Sequence, residues 1–192
     1  MGVQVGELPW DPTIAASFST SLGGRNLGDT FRDERGRTYM LVALSNSLTN
    51  DTIAANEVLY VAATSVTYPT GQSGSFTVTN TRANALGGDN AYAVYAGQAL
   101  GTVAEAASSA AADNRFVLIG VQGRFTVKTN GDNNGVAGDY LIHTGNGTAD
   151  IVLQNDTSTQ TAAVLANKIG RALGTEASSA VDAFIHSRFW GI

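Results

Sequence analysis

Hydrophobic and polar residues alternate with a period of two over several short stretches, and breaks rich in glycine and asparagine separate them. That is the pattern of half-buried β-strands. Phe76-Thr77-Val78-Thr79 is the cleanest case. Gly28 to Asp33 and Arg37 to Leu44 flank Glu34-Arg35-Gly36, which predicts a hairpin closed at Gly36. Ala54-Ala55-Asn56 predicts a bend before the strand Val58–Val61, and Tyr92–Ala96 predicts another strand. Pro69, after Val66-Thr67-Tyr68, ends an extended segment because proline cannot donate to a ladder.

The stretch from Arg115 to Gly174 carries the densest pattern. An apolar run, Phe116–Ile119, precedes turns expected at Gly120 and Gly123, and an alternating strand follows at Arg124–Lys128. Further strands are expected at Gly138–Ile142, Ile151–Leu153 and Ile169–Leu173, with a turn at Gly145-Asn146-Gly147. Val181 to Phe189 alternates as a closing strand, and Phe189-Trp190-Gly191-Ile192 is strongly apolar. Helical signals are few. Thr102-Val103-Ala104-Glu105 has capping-box spacing before an Ala/Ser run, which predicts a short helix or an irregular crossover. Thr161–Ala166 fits one or two helical turns.

Together these elements predict a mainly β protein. Its units are small β-barrels or sandwiches, β-tulip or jelly-roll-like, with an extended N-terminal arm and little helix. The expected parts are an arm (1–28), a β-rich part (29–97), an Ala/Ser-rich connector (98–114) and a barrel-like unit (115–192).

Composition sharpens this picture. Of 192 residues, 43% are hydrophobic, enough for a real core, yet only 14% are charged, well below the usual quarter. With 22 glycines and many small polar residues, the chain suits tight turns and a surface covered by neighbours. The net charge is −5 with no basic cluster in sequence, which argues against nucleic acid, since phosphate recognition needs a positive patch. No cysteine is present, so disulfides, thiolate metal sites and a cysteine nucleophile are excluded. The first residues lack a secretory pattern and no stretch approaches a membrane span, so synthesis in the cytoplasm is expected, with no membrane partner.

Candidate chemistry is thin. His143 and His186 each fall in a strand pattern, where a hydrogen-bonded structural role is expected. Gly71-Gln72-Ser73-Gly74 has the wrong spacing for a nucleophile elbow, and no phosphate-binding loop occurs. Asn130-Gly131-Asp132-Asn133-Asn134-Gly135 matches the start of a calcium loop, but Leu141 stands where the bidentate glutamate belongs. An Asn/Gly hairpin loop is the plainer reading. A weak calcium site on Asp132, Asn134 and Asp139 is the other. Asn-x-Ser/Thr patterns at Asn50, Asn146 and Asn155 are expected by chance in a chain of this composition. No catalytic residue, cofactor site or metal site is assigned, and an enzyme is not expected.

The pattern Leu27-Gly28-Asp29 with Arg35-Gly36-Arg37-Thr38-Tyr39 resembles the start of head decoration (cement) proteins of tailed bacteriophages. The later Val117-Leu118-Ile119, Gly138-Asp139-Tyr140-Leu141, Gly145-Asn146-Gly147 and Ile169-Gly170-Arg171-Ala172-Leu173 are similar to their β-units. The resemblance covers about half the chain. It implies a virion protein on the exterior of an icosahedral capsid, commonly a homotrimer, that clamps neighbouring subunits of the major capsid protein. Contacts would then lie in the arm (Trp10, Phe18), the charged hairpin (Arg32, Arg35, Arg37) and the tail (Phe189, Trp190). For the arm aromatics, packing on the chain's own core is the alternative. For the hairpin, it is a solvated tip with local ion pairs. A carbohydrate-binding or adhesin-like module is the second functional reading, with Tyr92 and Tyr95 as candidate aromatic platforms.

Overall fold

The computed structural model describes residues 26–45, 53–63, 76–81, 85–86, 94–103, 116–131, 135–143 and 168–187, with the backbone of 3–5, 17–18 and 151–154. Among the described residues every regular element is a strand. In chain order these are β1 (Val3–Val5), β2 (Ser17–Phe18), β3 (Thr30–Arg32), β4 (Thr38–Leu44), β5 (Val58–Val61) and β6 (Thr77–Thr79). Then come β7 (Tyr95–Ala99), β8 (Phe116–Lys128), β9 (Tyr140–His143), β10 (Ile151–Gln154), β11 (Lys168–Ala172) and β12 (Ala180–His186).

Five strands close on themselves. β4 pairs with β6, β6 with β5, β5 with β7, β7 with β8, and β8 returns to β4. All of these pairings are antiparallel except β4–β6. The result is a closed barrel, which leaves no free edge in the ring. Its interior is filled by Met40, Val42, Leu44, Leu59, Val61, Val78, Val117, Ile119 and Val121. From β8 a second run of strands continues outward in the order β12, β11, β9, β10. The buried face of that run carries Phe125, Val127, Leu141, Ile169, Val181, Ala183 and Ile185, and these merge with the outer face of the barrel through Tyr39, Leu41, Tyr60 and Leu118. β4 therefore lies between two cores, and all seven of its residues are buried. β1 pairs with β3, and β2 pairs with the start of β8, so two segments of the expected arm add strands to this framework.

β8 joins the barrel to the second sheet, and it departs from the expectation of turns at Gly120 and Gly123. It is one strand of 13 residues running through both glycines. Thr38 lies opposite Gln122 while Tyr39 lies opposite Gly120, so β8 carries one extra residue there, a β-bulge. Before the bulge, odd-numbered side chains (Val117, Ile119, Val121) fill the barrel; after it, Phe125 and Val127 fill the second core. Gly123 supplies the positive φ of 120°, and a Cβ there would lie 2.9 Å from the Arg37 Cα. Gly120 lets the Phe125 ring sit directly over the backbone, 2.7 Å from where its Cβ would be. In this strand glycine marks a bulge and a close approach, both of which read as turns in one dimension.

The β3–β4 hairpin forms with Gly36 at φ 75°, as its pattern predicts. So do the bend at Asn56 (φ 63°), β5 and β6. The strand expected over Tyr92–Ala96 lies further along, at Tyr95–Ala99, because Gly97 packs against the backbone of β8 and the buried Gln98 amide donates to the Thr126 carbonyl at 3.0 Å. Val103 is extended and exchanges two backbone hydrogen bonds with Ile53; the rest of the capping-box pattern, Ala104-Glu105, lies outside the described residues. The Ala/Ser run beyond it, and Thr161–Ala166, lie outside the described residues.

Candidate functional site

The charged hairpin tip is built around one carboxylate. Asp33 accepts hydrogen bonds from the backbone N–H groups of Arg35 (3.0 Å) and Arg37 (2.9 Å), from Arg37 Nε (2.7 Å) and from the Tyr39 hydroxyl (3.0 Å). Burial pushes Asp33 up, but these hydrogen bonds and the Arg37 charge outweigh it and hold the carboxyl below its ordinary range. Burial raises Tyr39 far above the usual phenol value, so its hydroxyl stays a donor to Asp33. The Arg37 guanidinium lies 5.6 Å from the centre of the Tyr39 ring and 5.8 Å from that of Phe125. Those two rings meet edge to face at 5.7 Å. The local ion pair expected of a solvated tip is thus present, and it fastens the hairpin onto β8.

Folding the tip back brings three arginines together. Arg35, Arg37 and Arg124 line one groove of about 660 Å³, floored by Tyr39, Phe125 and Gln98. On its far wall Arg124 pairs with Asp182 at 2.6 Å, and the Thr126 hydroxyl donates to the same carboxylate at 2.9 Å. The hydrogen bonds from Arg124 and Thr126 hold Asp182 below its ordinary range against the effect of burial. Arg35 is exposed where it lines the groove. Arg32 is exposed on β3 and does not line this groove.

A second hollow of about 430 Å³ lies on β9, β11 and β12, lined by Tyr140, Lys168, Arg171, Leu173, Phe184 and His186 among others. Phe184 is 48% exposed and Leu173 47%. The Lys168 ammonium sits 3.2 Å from the Tyr140 ring centre, and the Arg171 guanidinium 4.2 Å from it while also donating to the Tyr140 hydroxyl. Gly170 lets β11 lie close against β12, since a Cβ there would strike the Phe184 carbonyl oxygen.

Of the contact residues read from sequence, the fold brings together Arg35 and Arg37. Phe18 sits in β2 with its backbone opposite Phe116. Trp10, Phe189 and Trp190 lie outside the described residues. Tyr95 is no exposed platform: it is buried in the core beside Tyr60, and Tyr92 lies outside the described residues. Sequence reasoning missed Arg124, Tyr140, Lys168, Arg171 and Phe184. One signal was there to find. In Val181–His186 the polar face is Asp182, Phe184, His186, and a phenylalanine on the polar side of a clean alternation marks an exposed aromatic.

The calcium reading gains no support from Asp139. Its carboxylate caps the local turn by accepting from the Val136 N–H at 2.9 Å, and Asp132 and Asn134 lie outside the described residues. Among the described residues no cluster of three or more His, Cys, Asp or Glu is placed to hold a metal ion, and no helix is long and apolar enough to cross a membrane. What the two hollows can do is bind. Fixed guanidinium forks recognise carboxylates, and aromatic faces add contact area. The chain matches no known protein family, no curated protein and no solved structure.

Proposed function

We propose that this chain is a non-enzymatic virion structural protein that binds the outer surface of an icosahedral phage capsid and stabilises contacts between major capsid protein subunits. It acts there as a homo-oligomer, with a trimer favoured, and is made in the host cytoplasm. The observation that carries this reading is the arginine groove. A chain of net charge −5 with few charges holds Arg35, Arg37 and Arg124 together on a closed barrel, through a hairpin fastened by Asp33. A preformed, rigid, locally cationic surface suits clamping of a fixed partner, because little ordering is needed on binding. The resemblance of Leu27–Tyr39 and Val117–Leu173 to capsid decoration proteins agrees with it.

The test is direct. Light scattering during size-exclusion chromatography should report a trimer, and adding the protein to capsids that lack it should raise their melting temperature. A monomer without effect on capsids would sink the proposal.

One observation favours a second reading, a carbohydrate-binding or adhesin-like module of a phage tail or cell surface. Phe184 and Tyr140 lie on an outward sheet face. A monomer retained on neutral glycans would establish that reading instead.

A further inference from the structure

The cross-strand registers join the two hollows into one surface. Arg124 on β8 lies opposite Phe184 on β12, Phe184 opposite Arg171 on β11, and Arg171 opposite Tyr140 on β9. Directly opposed residues share a face, so these four side chains form a row across four strands, about 15 Å long at the usual strand spacing. The arginine groove lies at one end of the row and the Tyr140 hollow at the other. Among the described residues lining the two hollows, Arg35, Arg37, Arg124, Lys168 and Arg171 are cationic and Asp182 alone is anionic. Between the cations stand the exposed Phe184 and Leu173.

We propose that this row is the docking surface for an acidic polypeptide segment with apolar residues between its carboxylates. The segment lies across the outer face of β8–β12–β11–β9 and places apolar side chains on Phe184 and Leu173. The proposal rests on the capsid reading only for the source of that segment, the major capsid protein. Charge complementarity selects the acidic partner. Arginine and aromatic residues are enriched where protein interfaces bury their centres, and they supply most of the energy there. A single-stranded polynucleotide fits less well. It needs successive free rings to stack on, but the Tyr140 ring is already engaged by Lys168 and Arg171, which leaves Phe184. A neutral glycan offers no negative charge to complement the cationic lining.

The experiment uses the full chain and a short fluorescein-labelled peptide of alternating Glu and Leu. Its controls are a Lys/Leu peptide, oligodeoxythymidine and a neutral oligosaccharide. The Glu/Leu peptide should bind in a salt-sensitive manner. Phe184→Ser and Arg171→Glu should each weaken it by about tenfold or more, while the melting temperature of each variant stays near that of the parent. Equal binding of the Lys/Leu peptide, tighter binding of either non-peptide probe, or unchanged binding by both variants overturns the proposal. The same proteins are then added to capsids. If the parent and both variants stabilise capsids equally, this face is not the contact and the proposal fails while the capsid reading stands. If the parent binds the peptide but no capsid, the capsid reading fails and the acidic-segment surface stands.

Discussion

At the scale of single residues, two carboxylates, Asp33 half-buried and Glu176 buried, behave differently. Asp33 is fully engaged, and its lowered pKa carries a pH dependence. A carboxyl depressed in the folded state contributes stability that is complete above its unfolded value of about 4 and is lost as pH falls through the folded value. Asp33→Asn should therefore destabilise the protein by about 1–3 kcal/mol at pH 7, through loss of charge-assisted hydrogen bonds. The gap to the parent should close when urea titrations are repeated below about pH 4. Glu176 is the opposite case. It is 4% exposed, one carboxylate oxygen accepts from the Thr129 hydroxyl, and the other has no partner. Thr129→Val strips the remaining hydrogen bond, and we expect a loss of about 1–3 kcal/mol in chemical denaturation. Thr129→Ser, which keeps the hydroxyl, should recover most of it.

At the scale of elements, close backbone approach at glycine holds the barrel wall together. A Cβ on Gly97 of β7 would lie 2.6 Å from the Gly120 carbonyl oxygen of β8 and 2.9 Å from the Ile119 side chain. A backbone oxygen in a closed ring cannot move aside cheaply, so Gly97→Ala should destabilise by about 1–3 kcal/mol. Gly174 is a matched control, because nothing lies within 4 Å of its Cβ position. Gly174→Ala should change the urea midpoint little. A loss at Gly174 as large as at Gly97 would show that helical or extended propensity, and not crowding, sets the effect. The hairpin, β5, β6 and β12 were legible because each is a short local run of strand-forming residues flanked by turn residues. β7 and β8 were misplaced because their boundaries depend on which strand lies opposite: Gln98 pairs with Gly120, Gly97 packs against the Gly120 carbonyl oxygen, and the bulge at Val121 answers to β4.

At the scale of the whole molecule, the closed ring of β4, β6, β5, β7 and β8 contains neither β1 nor β2. Deletion of residues 1–24 removes those two strands and leaves every ring pairing in place. Such a truncated chain should keep its β-type circular dichroism and a cooperative, lower melting transition, and it should bind capsids more weakly. Loss of folding would mean that the arm is part of the core. The melting transition and the capsid assay separate these outcomes.

Amino-acid order alone determined that the chain is mainly β, where its best-isolated strands fall, and that it carries few charges and no cysteine chemistry. These are local properties, written in a period of two and in the φ demands of turn residues. Order also located Arg35 and Arg37 at a charged tip, since the tip is contiguous. It could not place Arg124 beside them, nor line up Arg124, Phe184, Arg171 and Tyr140, because their neighbourhood exists only across strand pairings far apart in the chain. Tertiary structure decided those registers. It also decided that Tyr95 is core and Phe184 is surface, because which face of a strand meets water depends on what packs against the other.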